Sequence, residues 1–118
     1  MYDAIILAGG ACPWLKKLSG TEYRAVAMLD RRPLVSYIID ALQACDAIDK
    51  ITISGTQREL AGIDLPAGVQ VVEASGTMLD NTLAAIRATN ATKPVLFVTD
   101  DVPLLTAEAV TDFLQKVK

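Results

Sequence analysis

The sequence predicts an α/β fold, a mostly parallel sheet with helices on both faces, on three observations. Four short apolar runs are spaced along the chain. Helical patterns separate most of them, in the order strand, long loop, helix, strand, strand, helix, strand, helix. Alternation of this kind puts helices on both sides of a parallel sheet. The first strand also ends in paired glycines, a common way for such a strand to give way to a ligand-binding turn.

The first strand is Asp3 to Ala8, an apolar run suited to burial on both faces. Gly9-Gly10 breaks it, and residues 11–32 form a long irregular connection. Connections this long in a compact domain usually serve function. Pro33 fits the first position of a helix, in which Leu34, Ile38, Ala41 and Leu42 recur at helical spacing. Lys50 to Ser54 alternates like a second strand, and Val69 to Val72 makes a third after Gly62, Pro66 and Gly68. Thr77, with Asp80 three residues on, starts a capping box for a helix that carries Leu79, Leu83 and Ile86 on one face. Pro94 to Thr99 is the fourth strand. Thr106 caps a last helix, with Val110, Phe113, Leu114 and Val117 expected inward. Residues 1–118 read as a single domain with no repeat or internal boundary.

Composition narrows the chemistry. Apolar residues make up 52% of the 118 residues, which suits a packed domain. No apolar run approaches a membrane span and the start lacks the basic flank of a signal peptide, so a cytoplasmic protein without membrane contact is expected. The net charge of −3 argues against a general nucleic-acid binder. Five basic residues (Lys16, Lys17, Arg24, Arg31, Arg32) nevertheless crowd the stretch from Trp14 to Pro33, against two acids. That stretch is either a solvated loop or an anion site. Cys12 and Cys45 have neither a CxxC nor a zinc spacing and are read as reduced and incidental. The chain has no histidine. This excludes Ser-His-Asp and Cys-His catalysis and HExxH zinc sites within it, and leaves carboxylates, cations, backbone dipoles or a bound metal.

The turn Leu7-Ala8-Gly9-Gly10 lies where α/β sheets bind ligands, beyond the carboxyl end of a strand. Glycine there lets backbone N–H groups approach phosphate oxygens. Two common phosphate motifs do not match. Ala11 and Pro13 break a G-x-G-x-x-G reading, and the G-K-[ST] of a P-loop is missing.

Leu7-Ala8-Gly9-Gly10, the basic loop, Arg24-Ala25, and Arg32-Pro33-Leu34-Val35 entering a helix together resemble the opening signature of the MobA-like nucleotidyltransferases. Asp101-Val102-Pro103-Leu104-Leu105-Thr106 is similar to the D-x-P-L-[LIV]-[TS] element after their fourth strand. Gly76-Thr77, with Asn81 one turn on, makes a third and weaker match. The resemblance implies a Rossmann-like, glycosyltransferase-A-like fold, here truncated.

It also implies roles. Leu7, Ala8, Gly9 and Gly10 would contact base and phosphates through backbone, and Gly76 and Thr77 would line the base and ribose side. Asp101 would hold Mg²⁺, which favours oxygen ligands and is commonly bound by one or two carboxylates together with substrate phosphates. Neighbouring side chains on an extended segment point opposite ways, so only one of Asp100 and Asp101 reaches the metal, and the register of the resembled element picks Asp101. Arg24 stands where the family usually has lysine and would meet a phosphate bidentately; the other reading of Arg24 is an ordinary surface residue.

The implied activity is transfer of a nucleotidyl group from a nucleoside triphosphate to a phosphate or hydroxyl acceptor, with release of pyrophosphate. Ala11 and Pro13-Trp14 replace the G-x-R of the family pattern, and Lys16 or Lys17 is left to supply that cation. Family members generally continue well beyond the helix where Lys118 falls. The expectation is therefore the nucleotide-binding part of a longer fold, without its acceptor half, weak or inactive alone. The fourth strand would then lie at a sheet edge, open to a homodimer. The alternative reading is a non-catalytic nucleotide-binding or assembly module.

Overall fold

The computed structural model describes residues 2–8, 17, 20, 28–29, 32–63, 65–74, 76–90, 93–99 and 106–116. Its strands are β1 (Tyr2–Leu7), β2 (Met28–Leu29), β3 (Arg32–Pro33), β4 (Ile48–Gly55), β5 (Val69–Glu73) and β6 (Val95–Thr99). Its helices are α1 (Leu34–Gln43), α2 (Gln57–Leu60), α3 (Met78–Thr89) and α4 (Ala107–Lys116). Four strands form one sheet in the order β5-β4-β1-β6, and every pairing in it is parallel. The α/β reading holds, with a short β2–β3 antiparallel pair and the one-turn helix α2 as unpredicted additions. Among the described residues, no helix is long and apolar enough to cross a membrane.

Strand alternation divides the core between two faces. Ala4, Ile6, Ala8, Ile51, Ile53 and Val98 share one cluster with Val35, Ile38, Ile39 and Leu42 of α1 and Val110 and Leu114 of α4. Ile5 and Thr52, paired in register across β1 and β4, are buried on the other face, the side covered by α3 with its buried Ala85 and Thr89.

Local chemistry fixes the helix ends. Pro33, with φ −60°, is the N-cap rather than the first helical residue, so α1 begins one residue later than expected. Arg32 beside it is held by Asp40 at 2.5 Å and lies over the Tyr37 ring, 4.8 Å from its centroid. Thr77 caps α3 with both bonds of a capping box. Asn90 ends α3 in the left-handed conformation that asparagine tolerates. The Thr106 hydroxyl accepts from the Ala109 N–H, 3.1 Å, at the start of α4.

Two apolar expectations are corrected. Phe113 is not inward: it is 52% exposed, while Val110 and Leu114 fill the core side of α4. Leu79, Leu83 and Ile86 do share a face of α3, but all three are exposed. The residues that α3 buries are the small Ala85 and Thr89, because helix and sheet approach closely there. Val117 lies outside the described residues.

One irregularity has no counterpart in the sequence pattern. The β1–β4 register slips between Tyr2↔Ile48 and Ala4↔Ile51, so β4 carries an extra residue. Buried Asp3 sits at the slip, and its carboxylate accepts the Lys50 N–H at 3.2 Å.

Candidate functional site

Because all four sheet strands run the same way, their carboxyl ends share one rim, formed by Leu7, Gly55, Glu73 and Thr99. The sequence signatures converge here. Leu7 is paired in register with Thr99. Ala8-Gly9-Gly10 and Asp100-Asp101, about ninety residues apart in sequence, therefore directly follow adjoining strand ends. Gly9, Gly10, Arg24 and Asp101 lie outside the described residues.

Ala8 is buried, and its N–H donates to the Ser54 carbonyl at 2.7 Å. Its backbone donor is thus committed to the sheet. Next to it, a Cβ on Gly55 would come 2.7 Å from Leu60 Cδ1 and 3.5 Å from Ala8 Cβ. Glycine at that position lets α2 close over the end of β4. The α2 segment is fastened to β5 by the Gln57 N–H donating to Glu73 Oε2, 2.7 Å, and by Gln57 Nε2 donating to the Val71 carbonyl, 3.4 Å.

Gly76 and Thr77 stand just past the end of β5, on the same rim. Asn81 clamps Gly76 from both sides: its Oδ1 accepts the Gly76 N–H at 3.0 Å and its Nδ2 donates to the Gly76 carbonyl at 3.3 Å. The Thr77 N–H donates to Asp80 Oδ2 at 3.3 Å, and the Thr77 hydroxyl accepts the Asp80 N–H at 3.2 Å. A Cβ on Gly76 would come 2.8 Å from Asp80 Cβ, so the turn needs glycine there. Both backbone N–H groups of this turn are engaged internally. What it can still offer a ligand is the second lone pair of its carbonyls and the Thr77 O–H, which Asp80 leaves free to donate.

Leu7 and Ala8 close β1 while Gly76 and Thr77 follow β5, so the two pairs lie along the same rim with the end of β4 between them. Glu73 and the clamping role of Asn81 were not foreseen. Glu73 could have been noticed as an acid closing a strand, whereas the clamp depends on a turn geometry that no spacing reveals. Arg32, counted in the basic stretch, is engaged by Asp40 and Tyr37 rather than turned to the rim. Among the described residues no group of three His, Cys, Asp or Glu side chains could hold a metal. Glu73, at the rim, accepts the Gln57 N–H; Asp100 and Asp101 lie outside the described residues.

The fold has well-matched relatives among solved structures. A hypothetical transferase from Thermus thermophilus superposes with TM-score 0.79 at 30% identity, over 99% of this chain and 47% of its own. A nucleotidyl transferase from Methanothermobacter thermautotrophicus gives 0.72 at 17% identity, over 98% of this chain and 57% of its own. The protein Rv0371c from Mycobacterium tuberculosis gives 0.68 at 15% identity, over 98% and 59%. At 17% and 15% identity the last two likenesses concern the fold alone. The chain thus spans about half the length of the solved structures it matches. No curated protein matches it significantly. The model of the MobA-like NTP transferase domain matches residues 4–118, nearly the whole chain, and the chain belongs to that family.

Proposed function

We propose that this chain holds a nucleoside triphosphate at the carboxyl rim of its sheet and serves as the nucleotide-binding part of a nucleotidyltransferase. The observation that carries this reading is the Leu7↔Thr99 pairing. It makes the glycine turn and the Asp100-Asp101 pair the continuations of neighbouring strands, as a site for phosphates and their counter-ion requires.

In this reading Leu7 and Ala8 are the foundation of the turn and not its phosphate donors, since the Ala8 N–H already serves Ser54. The N–H groups of Gly9 and Gly10 take the phosphate oxygens. Arg24 neutralises the triphosphate. Thr77 and the Gly76 carbonyl line the base and ribose side, in a turn that Asn81 keeps from moving. Asp101 holds Mg²⁺, which when bound stabilises charge on the transferring phosphoryl oxygens. A phosphate or hydroxyl oxygen of the acceptor attacks the α-phosphorus in line. The bond from that phosphorus to the bridging oxygen breaks, and its electron pair leaves with pyrophosphate. The protein contributes position and charge, and no side chain acts as nucleophile. Because the chain spans about half the length of its relatives, we expect weak transfer from it alone. The acceptor contacts would come from the part of those longer structures that this chain does not span.

Calorimetric titration with ATP, GTP, CTP and UTP, each with Mg²⁺, tests the reading. Binding of at least one triphosphate, lost on adding chelator, is the expected result. Folded protein at high concentration that takes up no heat from any of the four overturns it.

A further inference from the structure

Among the described residues, four polar side chains are buried: Asp3, Thr52, Ser54 and Thr89. Three of them have protein partners. The Asp3 carboxylate accepts the Lys50 N–H, and the Thr52 and Thr89 hydroxyls bond to each other. Ser54 differs. It is 1% exposed, and its carbonyl accepts the Ala8 N–H, but its hydroxyl has no hydrogen-bonding partner among the described residues. Leaving a buried hydroxyl unpaired is costly, and native folds rarely do so without a use for it.

The place of Ser54 in the fold indicates the use. Side chains two apart on a strand share a face, so Ser54 lies with Thr52 on the α3 side of the sheet. The register sets Val72, Ser54, Leu7 and Thr99 side by side across β5, β4, β1 and β6. This row lies at the carboxyl rim. The Ala74 N–H donates to the Gly55 carbonyl at 2.9 Å, which keeps β5 beside β4 to the end. The Gly76-Thr77 turn that follows leads into α3 on the face of Ser54. The polar groups of that turn are occupied with one another: Asn81 clamps the Gly76 peptide, and Thr77 and Asp80 bond reciprocally. Beside Ser54 in the row stand the half-buried Leu7 and Val72. The row thus offers two apolar side chains with one hydroxyl between them. Such a lining suits a flat heteroaromatic ring, with its apolar faces and polar edge. It does not suit a phosphate, which calls for several donors or a cation.

We propose that the Ser54 hydroxyl is a contact for the nucleoside part of the ligand, bonding a polar atom on the edge of the base. This role rests on the nucleotide reading above and deepens it. The glycine turn holds phosphates, whereas Ser54 tells a nucleotide from bare polyphosphate. Because so little of Ser54 is exposed, its hydroxyl is reached as the rim adjusts around a seated base. A hydroxyl both donates and accepts, so the contact secures a base without choosing among bases.

Calorimetry on wild type and Ser54→Ala tests this role. The ligands are the tightest binder among ATP, GTP, CTP and UTP, and tripolyphosphate, each with Mg²⁺. The variant should bind the nucleotide about fivefold more weakly, the share of one hydrogen bond, and treat tripolyphosphate as wild type does. Its melting temperature should be no lower, since no protein bond is lost. Unchanged nucleotide affinity in the variant, with wild type binding, overturns the role of Ser54 and leaves the nucleotide reading standing. An equal loss for nucleotide and tripolyphosphate also overturns it, since the effect then lies at the phosphates. Wild type that binds no nucleotide overturns both. If Ser54→Ala melts lower, Ser54→Cys decides by the same comparison, being close in size and a poor hydrogen-bonding group. Nucleotide affinity equal to wild type in that variant refutes the contact.

Discussion

The hydroxyls of Thr52 on β4 and Thr89 on α3 meet at 2.8 Å in a fully buried contact. Thr89 gives its proton to the Ala85 carbonyl, 2.7 Å away. A hydroxyl has one proton to give, so Thr52 must donate to Thr89. This directed chain of two bonds fastens the end of α3 to the centre of the sheet.

Removing one member leaves the other buried without its partner, whereas removing both removes the need. Thr52→Val and Thr89→Val should each destabilise the chain by about 1–2 kcal/mol, and the double variant by clearly less than their sum. Urea unfolding of the four proteins completes the cycle. Strictly additive losses would show that the two hydroxyls act separately.

Asn81 is expected to matter more to binding than to folding. Asn81→Ala frees the Gly76 peptide, which then has to be ordered when the nucleotide binds. That ordering costs about 1 kcal/mol, equivalent to roughly fivefold in affinity. Calorimetry should show this loss for the preferred triphosphate, with a melting temperature close to wild type. Unchanged affinity would mean that the clamped turn is remote from the ligand.

The two acids after β6 should not be equal. Asp101→Asn is expected to weaken Mg²⁺-dependent nucleotide binding more than Asp100→Asn, since neighbours on extended chain face opposite ways. Titrations with and without Mg²⁺ separate the metal effect from simple loss of charge. Equal losses, or a larger one at Asp100, would reverse the assignment.

At the opposite end of the sheet, Lys93 bonds to Asp49. Hydrogen bonding to Lys93, and then its charge, hold the Asp49 carboxyl below its ordinary 3.8. The bond to Asp49 raises the Lys93 ammonium above its ordinary 10.5. The stabilising effect of the lowered acid is present above the ordinary carboxylate value and disappears as pH falls through the lowered one. That of the raised base is complete below 10.5 and disappears as pH rises through the raised value. The stability difference between wild type and Lys93→Met should therefore be flat across neutral pH and shrink at both extremes. The pair is exposed, so the plateau should be small. A difference that changes between pH 6 and 8, well inside this window, would point to another group.

Much of the fold was legible because period and punctuation agreed. Asp3 to Ala8 and Pro94 to Thr99 are short apolar runs with breakers beside them, and each became a strand within a residue of its expected limits. Thr77 with Asp80 announced its cap correctly. Leu79, Leu83, Ile86 and Phe113 misled because hydrophobicity says that a side chain avoids water without saying what covers it. Among the described residues these four stay exposed. Asp3 was read only as the first residue of a strand, and its service to the displaced Lys50 N–H required knowing the register. At the site, the meeting of Leu7 with Thr99 was foreseeable only through resemblance, since pairing between strands so distant in sequence leaves no local signal.

The central place of β1 has a kinetic consequence. Of the four sheet strands β1 is made first, yet in the finished sheet it is flanked by β4 and by β6, so its second edge is satisfied only after Val95 has been made. Closing Asp3 onto Val95 spends loop entropy before any contact repays it, and pairings of this range slow folding. During synthesis the β1–α1–β4 portion would form first, with one side of β1 open to chaperones or to misdirected pairing until β6 arrives.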